Sequence, residues 1–188
     1  NDYVDNDAIL NFAGTAGESK TITMLVNGDT KVETDETFTV ELGSISGAFP
    51  GALVSTAGSP KTVTILNDDN ATITLTPAGG ITQNEGNTGT TPFVFTATLS
   101  NAVQGGFNLA YATNDGTATV ADNDYVDNDG PALGFAGTTG ETKTITVLVN
   151  GDTKVEANET FTVALGSISG TTLGAFINTA GSPKTGTI

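Results

Sequence analysis

The sequence predicts an all-β fold made of tandem Ig-like antiparallel β-sandwiches, each with about seven strands. Three observations lead to this prediction. Apolar and polar residues alternate over several short segments, as expected for half-buried strands. These segments are separated by turns rich in Gly, Asn and Asp, which favour tight backbone reversals. A long stretch of the chain also recurs at a fixed spacing, so the same set of elements is expected twice.

The internal repeat defines the expected domain organisation. Residues 1–47 reappear at 123–170 with one extra residue, and the offset of about 123 residues is a usual size for a β-sandwich domain. We therefore divide the chain into residues 1–70, the C-terminal part of one unit, and residues 71–188, nearly all of a second unit.

The first unit has no counterpart of residues 71–122 within this sequence. A sandwich without these first strands would expose an apolar face and an open strand edge to water. We therefore expect either that the native polypeptide is longer or that a neighbouring chain supplies the strands.

Strand positions follow from the alternation of apolar residues. In the first unit, Lys20–Val26, Thr37–Leu42 and Lys61–Leu66 are predicted strands. The residues predicted to face inward there are Ile22, Met24, Val26, Phe38, Val40, Leu42, Val63 and Ile65. The strands predicted in the second unit are Ala71–Thr76, Phe93–Leu99, Phe107–Thr113, Lys143–Val149, Thr160–Leu165 and Lys184–Ile188. Tyr125 and Phe161 are predicted core residues, and Asp115 and Asp127 turn residues.

The composition restricts the classes of partner. The 188 residues carry a formal net charge of −15, and all six basic residues are lysines. Nucleic acids and anionic membrane surfaces bind clusters of Lys and Arg, so neither is an expected partner. No apolar run is long enough for a transmembrane helix, so membrane insertion is not expected. A strongly negative chain instead attracts cations.

Catalysis has little support in the residue inventory. The chain has no Cys and no His, which removes Cys–His pairs and Ser–His–Asp triads. Paired carboxylates could hydrolyse glycosides, but such sites need aromatic platforms, and the chain has no Trp and only 6% aromatic residues. We therefore expect a protein that is not an enzyme.

Two nearly identical acidic loops carry the functional prediction. They are NGDTKVETDETF at Asn27–Phe38 and NGDTKVEANETF at Asn150–Phe161, each between two predicted strands. Calcium takes about six to eight oxygen ligands, mainly carboxylates, carbonyls and water. Carboxylates that converge at one end of a sandwich repel one another, and a divalent ion would offset that repulsion.

The order of several short motifs resembles the Calx-β family, whose members include the regulatory loop of sodium–calcium exchangers and many large bacterial surface proteins. The motifs are Asn84–Asn87 (NEGN), Tyr111–Ala118 (YATNDGTA), Asp124-Tyr125, Gly140–Val147 (GETKTITV), Asp152–Phe161 and Thr64–Asp69 (TILNDD). The likeness covers essentially the whole chain and implies the predicted sandwich together with bound Ca²⁺.

The resemblance implies a set of calcium ligands in each unit. In the second unit these are Glu85, Asp124, Asp152, Glu156, Glu159 and the carbonyl of Lys154. In the first unit they are Asp2, Asp29, Glu33, Glu36, Asp68, Asp69 and the carbonyl of Lys31. Gly28 and Gly151 stand where exchanger domains often have another aspartate, and Asn67 replaces the first acid of the closing run. Both departures predict fewer or weaker sites.

Simpler interpretations of these acids remain open at the level of sequence. The loop acids can be solvated turns that keep an all-β protein soluble, Glu85 is an equally good surface residue, and Asp124 can form an Asx turn.

The near-identity of the two units favours a structural calcium-binding repeat in a long extracellular surface protein, such as a bacterial adhesin stalk, surface-layer protein or filament. Its partners would be neighbouring repeats and other copies of the chain, and its location the cell surface or the extracellular space. One alternative is a calcium-sensing regulatory module of a membrane protein. Another is a self-assembling extracellular fibre whose chains complete one another with strands.

Overall fold

The computed structural model describes residues 2–47 and 54–188. Apart from one 3-10 turn at Gly174–Phe176, the regular structure in these residues is β-strand, and none of it is a helix that could cross a membrane. The chain forms two compact units. The first contains the described residues of Asn1–Asp29 and Asp35–Leu66, and the second contains Thr30–Thr34 and Asn67–Ile188.

The strands are numbered in chain order. The first unit has β1 (Tyr3–Val4), β2 (Leu25–Val26), β3 (Glu36–Val40) and β4 (Lys61–Ile65). The second unit has β5 (Ala71–Thr76), β6 (Ile81–Thr82), β7 (Thr90–Leu99), β8 (Phe107–Asp115), β9 (Leu133–Phe135), β10 (Thr142–Asn150), β11 (Thr160–Ser169), β12 (Ile177–Ala180) and β13 (Lys184–Thr187). All six strands predicted in this unit are present, and the short strands β6, β9 and β12 were not predicted because each has too few residues to show alternation.

The second unit is a sandwich of two sheets. One sheet has the order β10-β7-β5-β12, and the other has the order β6-β13-β11-β8-β9. The strands are antiparallel neighbours except at two edges, where β12 pairs with β5 and β13 with β6 in parallel. The chain crosses between the sheets at Pro77–Gly80, and Gly80 there has φ +79° and would place a Cβ 2.3 Å from the Thr185 carbonyl oxygen. This crossing therefore requires glycine.

The core of the second unit lies between these two sheets. Alternate residues of β10 point inward, with Ile145, Val147 and Val149 all buried as predicted. Phe161 of β11 is also in the core, with Tyr125 stacked on it at 4.8 Å between ring centroids. Both were predicted core residues. The Tyr125 hydroxyl donates a 2.6 Å hydrogen bond to Asp115. Burial of the tyrosine, and secondly this hydrogen bond, raise its pKa.

The first unit has less regular structure than the same sequence in the second. Strand β1 pairs with β2, β3 pairs with β4, and Tyr3 stacks on buried Phe38 at 4.2 Å. The predicted strand Lys20–Val26 is reduced to Leu25–Val26.

The prediction that alternate residues of the first unit face inward is wrong at several positions. Ile22, Val26, Leu42 and Val63 are exposed. The equivalent of Ile22 in the second unit is Ile145, which pairs with Phe95 of β7 and is 1% exposed. The first unit has no sequence equivalent of β7, so most of its alternating segment lacks the strand that pairs with Lys143–Val149 in the second unit, and only Leu25–Val26 is paired, with β1.

This difference predicts unequal effects of the same substitution in the two units. Ile145→Ala should lower the free energy of unfolding by about 2–5 kcal/mol, because it empties a packed site. Ile22→Ala, the matched control, should cost less than about 1 kcal/mol, because the 37% exposed side chain loses little packing. Urea denaturation followed by circular dichroism measures both values, and equal losses would contradict the burial described above.

Candidate metal centre

The turn before Tyr125 positions the first acid of the site. Asn123 adopts a left-handed conformation, with φ 66°, which reverses the chain immediately before Asp124. One carboxylate oxygen of Asp124 accepts a 2.7 Å hydrogen bond from the Thr119 amide, and the Asp124 carbonyl accepts one of 2.9 Å from Asn150. Asp124 is thereby fixed at the end of β10 with 8% of its surface exposed. The turn interpretation and the ligand interpretation of this residue are compatible, because the turn uses one carboxylate oxygen.

The loop between β10 and β11 supplies two more acids. Glu159 lies just before β11, and its backbone forms a reciprocal pair of hydrogen bonds with Ile188, at 3.0 and 2.9 Å. Glu156 lies three residues earlier in the same loop. The carboxylate oxygens of Asp124, Glu156 and Glu159 include a set that lie within 4.8 Å of one another. In the described parts of the chain, these three form the one group of acids that meets this condition.

The pKa values show that this convergence is costly without a counter-charge. Burial and then the carboxylates of Asp124 and Glu156 raise the pKa of Glu159. Burial likewise raises the pKa of Glu85, followed by the charges of Asp152, Glu156 and Asp124. Two like charges at 4 Å repel by about 1 kcal/mol in water and about 4 kcal/mol at an effective dielectric constant near 20. The five acidic ligands predicted for the second unit therefore lie close enough to repel one another.

A cavity of about 350 Å³ lies beside these acids. Its polar lining residues include Glu85, Glu156 and Glu159 together with Asn84, Asn87 and Asn158. These three asparagines were not predicted as site residues, although Asn84 and Asn158 lie next to a predicted ligand and Asn87 lies two positions from one. Amide oxygens are suitable calcium ligands, so the cavity offers more oxygens than the carboxylates alone.

The approach of two loops at Gly151 brings Glu85 to the site. The Gly151 amide donates a 2.9 Å hydrogen bond to the Gly89 carbonyl. A Cβ on Gly151 would lie 2.8 Å from the Gly86 carbonyl oxygen and 3.0 Å from that of Glu85. An aspartate at this position would force the two loops apart. The glycine thus removes one candidate ligand and allows the approach of Glu85.

Lys154 provides the counter-charge within the loop. Its ammonium group forms an ion pair with Glu156, and this hydrogen bond with its charge raises the pKa of the lysine. The Lys154 amide also donates a 2.7 Å hydrogen bond to Asp152, which fixes the start of the loop. In the second unit's segment Thr30–Thr34, Lys31 forms the same ion pair with Glu33. The predicted role of both lysines, ligation through the backbone carbonyl, stays a prediction.

The calcium ligands predicted for the first unit are divided between the two compact units. Asp2, Asp29 and Glu36 belong to the first unit, whereas Lys31, Glu33, Asp68 and Asp69 belong to the second. Asn67, which replaces an acid of the closing run, accepts a 2.9 Å hydrogen bond from the Glu33 amide. Its side chain therefore has a structural role as an acceptor.

Comparison with known proteins identifies the family of this chain. The family model described as the Calx-beta domain matches residues 1–69 and 79–183. The chain belongs to the Calx-beta family. The two matched segments of this Calx-beta chain include both acidic loops. No curated protein sequence matches the chain.

The chain is similar to several solved structures. The apo form of the Calx CBD1 domain is 22% identical, with a TM-score of 0.50 over 64% of this chain and 96% of that one. The calcium binding domain CBD12 of CALX1.1 is 21% identical, with a TM-score of 0.49 over 63% of this chain and 44% of that one. At this level of identity the first likeness supports the β-sandwich architecture described above.

The raised pKa values of Glu85 and Glu159 predict a pH-dependent stability in the absence of metal. A carboxyl group with a raised pKa in the folded state stabilises the fold below its ordinary value of 4.5 and loses that contribution as the pH rises through the folded value. In EDTA, wild type should therefore lose stability relative to Glu159→Gln as the pH rises from about 4 to neutrality. Thermal denaturation at several pH values measures the difference, and parallel curves for the two proteins would contradict it.

Proposed function

We propose that this chain is a structural calcium-binding repeat of a long extracellular surface protein. The observation that carries the proposal is the convergence of Asp124, Glu156 and Glu159 at the end of the second sandwich. Three carboxylates, one next to the turn before Tyr125 and two from the loop between β10 and β11, are an oxygen donor set of the kind that Ca²⁺ binds. Glu85 and Asp152 add negative charge at the same end.

Calcium would act here as a mechanical constraint. Asp124 follows the turn before Tyr125, whereas Glu156 and Glu159 belong to the loop that enters β11. A divalent ion shared by these residues would link the turn directly to the loop, in addition to the backbone hydrogen bonds that already join this end. The end of the sandwich would then be rigid when calcium is bound. When calcium is removed, the carboxylates of the two segments would repel one another. A stalk, surface-layer protein or filament requires this property of each repeat.

The repetition of the sequence supports a structural use. Two Calx-beta segments in one chain carry the same acidic loop with few substitutions. A spacer of constant length is obtained by repeating one unit, and an extracellular, bacterial cell-surface location supplies the calcium that such a spacer needs. Neighbouring repeats and other copies of the chain are the partners in this proposal. The proposed role is non-catalytic, because the converging carboxylates would serve as ligands of an ion.

The same geometry fits a calcium-sensing regulatory module of a membrane protein equally well. The two proposals differ in sequence context. Further repeats at the same spacing would favour the stalk, and a flanking transporter would favour the sensor. A third proposal, a self-assembling fibre, draws on the exposed apolar residues of the first unit, such as Ile22 and Val26. Strands from a neighbouring chain would cover them, and light scattering of the purified chain would then show oligomers.

Calcium should stabilise the protein through these acids. A ligand at about 100 times its dissociation constant adds about 2.7 kcal/mol to the free energy of unfolding, which raises Tm by several degrees. EDTA should lower Tm and excess calcium should restore it. The double variant Glu156→Gln and Glu159→Gln should lose most of this response while circular dichroism shows intact sheets.

The matched control is Asp5→Asn with Asp7→Asn, which makes the same charge change at exposed positions of the first unit. It should keep the full calcium response. Calorimetric titration of all three proteins separates specific binding from general screening of the net charge, and an equal loss of heat in both variants would refute the assigned ligands.

Lys154 should compete with calcium for Glu156, because its ammonium group already pairs with that carboxylate. Lys154→Gln should therefore raise calcium affinity by about tenfold or less, as expected for the removal of one exposed ion pair. Lys61→Gln removes the same charge from exposed β4 and should leave the affinity unchanged. Calorimetry with both variants checks this, and weaker binding by Lys154→Gln would show that the lysine supports the site.

A further inference from the structure

The segment Thr30–Thr34 of the second unit pairs with the chain between β7 and β8 through a single β-bridge. The Val32 amide donates a 2.9 Å hydrogen bond to the Ala102 carbonyl, and the Gln104 amide donates one of 2.9 Å to the Val32 carbonyl. Val32 and Val103 thus form a parallel β-bridge. The Val32 side chain is completely buried and belongs to the hydrophobic core of the unit.

Side-chain hydrogen bonds hold both sides of this bridge. The Thr34 amide and hydroxyl donate to the Gln104 side-chain oxygen at 3.2 and 3.1 Å. The Glu33 amide donates to the Asn67 side chain at 2.9 Å. Val103 is itself fixed by a 2.9 Å hydrogen bond from its amide to the Gly137 carbonyl. Ala102–Gln104 is therefore a preformed binding segment for Val32, which we call the docking edge.

The equivalent residue in the other acidic loop has the opposite environment. Val155 follows the same Asp-Thr-Lys sequence as Val32, yet 98% of its surface is exposed. Its neighbours Thr153, Lys154 and Glu156 are identical to those of Val32, and Ala157 replaces Thr34. The backbone and side-chain groups that form the bridge at Val32 are thus repeated, apart from the Thr34 hydroxyl.

We propose that Thr153–Ala157 docks onto the docking edge of a further copy of this repeat unit, with Val155 buried as Val32 is. The edge at Ala102–Gln104 of the same chain already holds Val32, so the partner must present an edge of its own. The occupant and receptor have the same chemistry as the pair seen here: one valine, two backbone hydrogen bonds and a glutamine acceptor. In the partner, the asparagine equivalent to Asn67 would accept the Glu156 amide.

This inference does not rest on bound calcium, because the docked segment uses backbone groups and an apolar side chain. Docking would also restrict the position of the loop between β10 and β11. Val155 lies between Lys154 and Glu156 in this loop, which carries two of the three converging acids. Repeat-to-repeat contact and metal binding would then be coupled through five residues.

The absence of cysteine from the sequence allows a direct test. In the 188-residue chain, a thiol reagent should modify Val155→Cys rapidly and Val32→Cys slowly. The chain is then extended after Ile188 with a second copy of Leu66–Ile188, which supplies a new docking edge at the natural spacing. In the extended chain, Val155→Cys should react at least about tenfold more slowly, since reaction requires local opening.

Two controls separate specific docking from other causes of protection. Val103→Asp, made only in the appended copy, should restore rapid reaction of Val155→Cys; protection that survives it would mean non-specific contact and would overturn the proposal. Because Val103→Asp can unfold the appended copy, a second variant leaves that copy intact. Val155→Asp changes an exposed residue and should remove hydrogen-exchange protection from the amide equivalent to Gln104.

Unchanged rapid modification of Val155→Cys in a folded extended chain would refute the docking. Calcium titration of the 188-residue chain by calorimetry is independent of this outcome. Protection without calcium binding would therefore retain the docking and remove the metal site, and calcium binding without protection would do the reverse.

Discussion

The second sandwich depends on strand β7, which lies between β10 and β5 in one sheet. Its pairing with β10 runs from Thr90–Asn150 to Thr98–Thr142, so β10 has a hydrogen-bonding neighbour on one side along its whole length. Phe93 and Phe95 of β7 are completely buried and belong to the hydrophobic core that residues of β10 and β11 also form. An alternating strand is stable only when it has both a hydrogen-bonding neighbour and an apolar layer to cover it.

The repeat makes this requirement visible within one molecule. The segments Lys20–Val26 and Lys143–Val149 have nearly the same sequence, yet only the second forms a full strand with a buried face. Local propensity is therefore the same in the two places, and the neighbouring strand decides the outcome. This is tertiary control of secondary structure, as is usual for β-sheets.

The end of the sandwich combines two opposing requirements. Backbone hydrogen bonds at Asp124, Gly151 and Glu159 hold the loops close together. The same approach gathers carboxylates, and burial followed by their mutual repulsion raises the pKa of Glu85 and Glu159. Lys154 offsets part of this charge through its ion pair with Glu156. The site is thus a constrained arrangement of oxygens with one exchangeable counter-charge, which is the arrangement that a divalent cation can occupy.

The amino-acid sequence alone determined the β-class, the repeat, the six main strands of the second unit and the acids of its loop. Alternation and turn residues are local signals, so they can be recognised without the tertiary structure. The sequence did not determine which copy of an alternating segment would be buried, nor that the asparagines beside Glu85 would line the cavity. It also could not distinguish Val32 from Val155, which have the same neighbours. Only the tertiary structure separates them, because a docking edge is present for one valine and the burial of an apolar side chain depends on what packs against it.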